Sequence, residues 1–131
     1  MTKQEMFTKV WLGFEGQNWE RSMHGRSCYY RKNGLKCAVG HLIPDEKYKP
    51  IFMEGFPVWE LLSNDSCLFG FSLSKEEETF VAEMQTAHDS LLLPSPLEDE
   101  RSNIGDVSQR TLKNIFAKLA EYHHLAIPGE P

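Results

Sequence analysis

The 131-residue chain has little of what marks a secreted, membrane-spanning or nucleic-acid-coating protein. Its three cysteines, an odd number, do not make the disulfide framework that small secreted domains depend on, and they read as free thiols of a reducing compartment. No apolar run reaches the roughly 18 residues needed to cross a bilayer. Met1-Thr2-Lys3-Gln4-Glu5 has no apolar stretch behind a positive start, so no signal peptide is expected and the cytosol is the expected compartment. Basic residues are outnumbered 14 to 19, and a net charge of −5 argues against nonspecific nucleic-acid binding, which draws its affinity from neutralised phosphates. Internal repeats and low-complexity tracts are also missing.

What is there suits one domain spanning residues 1–131. Hydrophobic residues make up 40% of the chain, enough for a core that buries roughly two-thirds of the unfolded surface without help from metal or disulfides. Thr2 with Glu5 forms a capping box, and Phe7, Val10, Trp11 and Phe14 follow at helical spacing, so the first helix should run to Gly13–Gly16. Ser27–Lys32 reads as a strand, and Asn33-Gly34 is a two-residue hairpin turn, which predicts a small hairpin over about 27–36. Cys37–Ile43 reads as a short helix stopped by Pro44, since Ala38 and Gly40 are poor strand residues. Pro57 should open another short helix. Ser74 and Glu77 make a second capping box ahead of the longest helix, about 74–93, with Phe80, Val81, Met84, Ala87, His88, Leu91 and Leu92 on one face. Residues 94–106 read as a long mobile loop, about Ser108 to Tyr122 as a last helix, and 125–131 as a frayed tail. The expected class is α+β and mainly α, a hairpin packed against four to six helices.

Chemistry concentrates between Ser27 and Asp45. Counting outward from Asn33-Gly34 pairs Lys32 with Leu35, Arg31 with Lys36 and Tyr30 with Cys37. Cys28 then lies diagonal to Cys37 at about 7 to 8 Å, beyond disulfide reach. Arg26, Arg31, Lys32 and Lys36 form a basic cluster that suits either solvent or an anionic group. Cys37 and His41 share a helix face, so zinc held by Cys28, Cys37 and His41, with His24 or His88 as a fourth ligand, is one reading. A thiol nucleophile is another: Cys37 at a helix start, with His41 or His88 as base and Asp45 as a third member. Asp89 follows His88 directly, and side chains about 100° apart around a helix are not expected to meet. Gln85 and His88 put polar groups on a largely apolar stripe with Val81 and Leu92, which calls for buried partners or a binding pocket. Asp45 reads most simply as a helix cap and Glu54 as a surface acid.

The pattern Cys28-x-Tyr30-Arg31 … Gly34-x-x-Cys37-Ala38-Val39-Gly40-His41-Leu42-Ile43-Pro44-Asp45-Glu46-x-Tyr48, then Met53-Glu54-Gly55 and Met84-Gln85-x-Ala87-His88-Asp89, resembles a group of small phage- and prophage-encoded proteins of unassigned function. The likeness runs from Trp11 onward. It implies a phage accessory protein acting inside a bacterial cell on a host or defence component. It also implies one shared site made of Tyr30, Arg31, Cys37, His41, Asp45, Gln85, His88 and Asp89. The expected function is binding without catalysis, either of a host protein or of a small anionic, nucleotide-like ligand, with Arg31 as charge partner and Tyr30 as stacking surface.

Overall fold

The computed structural model describes residues 1–93 and 111–129. Six α-helices and two antiparallel hairpins are found among them, an α+β and mainly helical architecture. Helix α1 (Lys3–Gly16) starts at the expected capping box, where Thr2 Oγ1 accepts from Glu5 N–H at 3.1 Å and Glu5 returns a bond to Thr2 N–H at 2.9 Å. Helix α5 (Lys75–Ser90) starts the same way at Ser74 and Glu77, and ends where Leu91 turns left-handed. It therefore stops short of the expected residue 93, because a left-handed residue at the cap closes the last turn. Helix α6 (Leu112–His123) is capped by Thr111.

These three helices build the core together with α2 (Ala38–Leu42), which packs against α1 and α5. Met6, Phe7, Val10, Trp11 and Phe14 of α1 face Phe80, Val81, Met84 and Ala87 of α5 and Leu112, Ile115, Phe116 and Leu119 of α6. Phe14 sits at the centre, edge-on to Phe116 at 5.3 Å and stacked on the His88 ring at 5.8 Å.

The segment between α1 and α2 (Ala38–Leu42) is two consecutive hairpins where one was expected. β1 (Met23–His24) pairs with β2 (Ser27–Cys28), and β3 (Arg31–Lys32) with β4 (Leu35–Lys36). The second keeps the register counted from the sequence, Arg31 opposite Lys36 and Lys32 opposite Leu35, with positive φ at both Asn33 and Gly34. The first is a two-residue ladder too short to leave a periodic signal, and Cys28 lies across from Met23. A 3-10 turn (Asp45–Lys47), α3 (Pro50–Met53) and α4 (Val58–Asn64) then lead toward α5.

Gln4 of α1 and Gln17, the residue capping its end, pin passing backbone by copying a strand's donor and acceptor. Gln17 donates to Lys36 C=O at 2.8 Å and accepts from its N–H at 3.1 Å. Gln4 treats Ala126 likewise, at 3.0 and 2.8 Å, so residues 125–127 are tied down where a frayed tail was expected, with Leu125 and Ile127 packed on the core. The loop expected over 94–106, and residues 130 and 131, lie outside the described residues. Among those described, no helix is long and apolar enough to cross a membrane.

Candidate functional site

Helix α2 has only five residues, so its amide and carbonyl ends need partners from elsewhere. At its start Cys37 is the N-cap, its Sγ accepting from Gly40 N–H at 3.3 Å, and Gln85 Oε1 accepts from Val39 N–H at 3.0 Å. At its end the Arg31 guanidinium donates to Gly40 C=O at 3.3 Å and Ile43 C=O at 2.5 Å, and reaches Asp45 Oδ1 at 2.8 Å. Arg31 also lies over the Tyr48 ring at 4.8 Å. The close approach of the Tyr30 backbone demands glycine at position 40, where a Cβ would stand 2.0 Å from Tyr30 O.

Glu54 holds the turn between the hairpins. Its two carboxylate oxygens accept the consecutive amides of Tyr30 and Arg31 at 2.8 and 3.0 Å, and Tyr48 Oη donates to the same carboxylate. This is no surface acid: it satisfies two backbone donors that no strand supplies. The Tyr30 ring is buried and its Oη donates to Phe56 C=O at 2.5 Å. Burial pushes the Tyr30 and Tyr48 hydroxyls well above the ordinary tyrosine range, with the carboxylate bond to Tyr48 adding to its shift.

His88 is wholly buried. Ser22 N–H donates to its Nε2 at 3.0 Å, so that nitrogen carries the lone pair and Nδ1 the proton. Nδ1 then donates to Asp89 Oδ1 at 2.7 Å, and Gln85 donates to the same oxygen at 3.0 Å. The expectation that adjacent His88 and Asp89 cannot meet is corrected here: both belong to the last turn of α5, and Asp89 folds back over its neighbour. Arg21 covers that helix end, donating to the carbonyls of His88 and Asp89 at 2.8 and 2.5 Å.

Cys28 Sγ, a His88 ring nitrogen and an Asp89 oxygen lie within 4.8 Å of one another, a donor group of metal-ligand type. It replaces the expected set, since Cys37 and His41 face elsewhere: Cys37 turns to the start of α2 and His41 to Gly13 and Phe14. The ring tautomer works against a metal in this group. Coordination through Nδ1 would move its proton to Nε2, opposite the buried Ser22 N–H, leaving two donors facing each other.

The thiol reading meets a similar obstacle. Cys37 is fully buried, and burial pushes its thiol up to about 12, so the nucleophilic thiolate is suppressed. Burial, with Lys36 and Arg31 next in effect, lowers His41 to about 4. Its Nε2 is buried without a hydrogen-bond partner among the described residues. The Arg31 contact, bond and charge together, holds the exposed Asp45 carboxyl below its ordinary value.

The open concavity lies on the other side of this network. It is a groove of about 470 Å³ between Cys28–Tyr30, the stretch Glu54–Trp59 and α5, and of the eight expected residues Tyr30, Gln85 and Asp89 line it. Arg31 and Asp45 sit at the end of α2, while Cys37, His41 and His88 stand behind in the packed interior. One shared pocket thus does not join the eight; a hydrogen-bonded scaffold links seven of them, and the His41 side chain stands outside it, against Gly13 and Phe14. Sequence reasoning missed Phe56 and Trp59, which line the groove and are 44% and 68% exposed. Their signal was present as large apolar side chains in a stretch interrupted by Gly55 and Pro57, where no helical face could bury them all. No protein-family model, curated protein or solved structure matches the chain.

Proposed function

We propose that this is a phage accessory protein that works by binding, covering a protein of the bacterial host, such as a defence component, in the host cytoplasm. One observation carries the reading: within nine residues Ile51 is 84% exposed, Phe52 70%, Phe56 44% and Trp59 68%. Four large apolar side chains left in water over so short a stretch are the usual mark of a surface with a partner. A groove opens beside them, lined by Phe56 and Trp59.

The alternative of a small anionic ligand has less support. The Arg31 guanidinium is engaged with two carbonyls and Asp45, and the Tyr30 ring is buried, so neither is free for a phosphate or a base. An enzyme built on Cys37 would need a thiolate in a site closed to substrate. A zinc-stabilised module would rest on Cys28, His88 and Asp89, against the tautomer that Ser22 imposes.

The test is a paired capture from lysates of candidate bacterial hosts, using the native chain and a Phe56→Ser/Trp59→Ala variant of equal thermal stability. A host protein retained in near-stoichiometric amount by the native chain and lost by the variant is the expected result. Identical retention by the two would overturn the reading.

A further inference from the structure

The groove beside Phe56 has a neighbour. A second concavity of about 480 Å³ lies across Trp59, and the two share Val58, Trp59 and Ala82. Together they form a trough along α5, whose floor positions Glu78, Ala82, Gln85 and Asp89 follow one helical face. From Glu78 to Asp89 the helix rises about 16 Å.

The trough is acidic. Its described lining holds three carboxylates, Glu54, Glu78 and Asp89, and no lysine, arginine or histidine. Glu54 is already occupied by two amides and a hydroxyl. The other two have capacity left. Asp89 Oδ1 takes His88 and Gln85, the weak Cys28 thiol donor stands beside the carboxylate, and no cation among the described residues pairs with it at salt-bridge distance except the neighbouring His88 ring. The Glu78 side chain makes no hydrogen bond or ion pair among them either. Two cations stand at the edge of the trough: Arg21, turned onto the carbonyls at the end of α5, and Lys32, whose Nζ lies over the ring of the lining residue Tyr29 at 4.5 Å. Exposed aromatic faces at Phe56 and Trp59 add a second attraction of the same sign, because a ring face draws a cation.

We infer that the trough receives a basic segment of the partner protein, an arginine or lysine side chain entering beside Asp89 against Phe56 and Trp59, and a second one reaching Glu78 beyond Trp59. This rests on the protein-binding reading above and specifies the partner's chemistry. An arginine fits best, since its planar guanidinium stacks on a ring while donating to a carboxylate.

The experiment uses the full chain, labelled with ¹⁵N and titrated with a blocked heptapeptide of arginine and leucine, and with the same peptide carrying neutral citrulline for arginine. Saturable shifts are expected at the Trp59 indole N–H and the amides of residues 85–89, with the arginine peptide about tenfold tighter. Asp89→Asn keeps an oxygen for His88 and Gln85 while removing the charge, and should bring the two peptides close to equal affinity; Glu78→Gln should remove part of the difference. Equal binding of both peptides by the native chain, no shift at all, preferential shifts with adenosine monophosphate, or self-association through Trp59 in sedimentation would each overturn the inference. The two proposals fail separately. Host-protein capture that needs Trp59 but survives the paired Asp89→Asn and Glu78→Gln changes removes the charge assignment alone, while capture indifferent to Trp59 removes the protein-binding reading.

Discussion

Acid should weaken this fold through His41 before the carboxylates take effect. The ring lies in a notch of α1 that only glycine leaves open, since a Cβ at Gly13 would stand 2.3 Å from Nδ1, and Phe14 meets it edge-on at 5.0 Å. Burial, then the charges of Lys36 and Arg31, lowers its pKa to about 4. An unfolded chain takes up the proton near about 6.5. The folded-state value is the lower one, so the unfolded state binds the proton first and stability rises with pH across that window. The contribution is complete above about pH 6.5, falls as the pH drops, and is lost once the folded ring itself titrates near about pH 4. Between about pH 7 and pH 4.5 the loss comes to about 2 kcal/mol. Urea unfolding followed by tryptophan fluorescence measures it, because Trp11 is buried and Trp19 packs edge-on against it at 4.6 Å. His41→Leu removes the titrating group and a buried nitrogen that has no partner among the described residues, and its profile should be shallower by that amount over the same range. Parallel profiles for the native chain and His41→Leu would refute the reasoning.

Arg31→Met should destabilise the chain by about 2 kcal/mol in the same assay, from the carbonyls of Gly40 and Ile43 left without a donor. Replacing Arg31 should not alter affinity for a basic peptide, which peptide titration of the variant checks. Gly40→Ala should cost about 3 kcal/mol in chemical denaturation, because the clash is with the rigid Tyr30 carbonyl. In timed alkylation of the native protein, exposed Cys67 should react first, Cys28 more slowly, and Cys37 only as fast as the fold opens; three equal rates would contradict the burial described. Elemental analysis of protein purified without chelator should find zinc well below one equivalent, in keeping with the Ser22–His88 bond.

Features whose cause is local were legible in the sequence. The two capping boxes, the Asn33-Gly34 turn, the register it sets and the short helix after Cys37 each follow from residues within a few positions of one another. What could not be read depends on partners brought close by folding. Glu54 looks like any surface acid until the Tyr30 and Arg31 amides meet it from more than twenty positions away. Arg31 looked like a free cation for a ligand, and the end of α2 claims it instead. The Ser22 amide that fixes the His88 tautomer is a backbone group and leaves no trace in residue type. Most residues grouped by motif lie in a scaffold of hydrogen bonds, His41 excepted, and motif membership does not distinguish a scaffold from the surface it supports.

Helix α2 has a consequence for how the chain acquires its shape. Five residues form too few turns to persist alone in water, where nucleation is unfavourable. Its two ends are held by Gln85 from one side and Arg31 from the other, so it can form only after the long helix and the second hairpin have docked. The amides of Val39 and Gly40 should therefore exchange with solvent through an opening smaller than global unfolding, whenever the Gln85 or Arg31 cap lets go, and α2 should be absent from the folding transition state. A cap shared between distant segments makes this short helix the last piece to assemble and a sensitive reporter that assembly is complete.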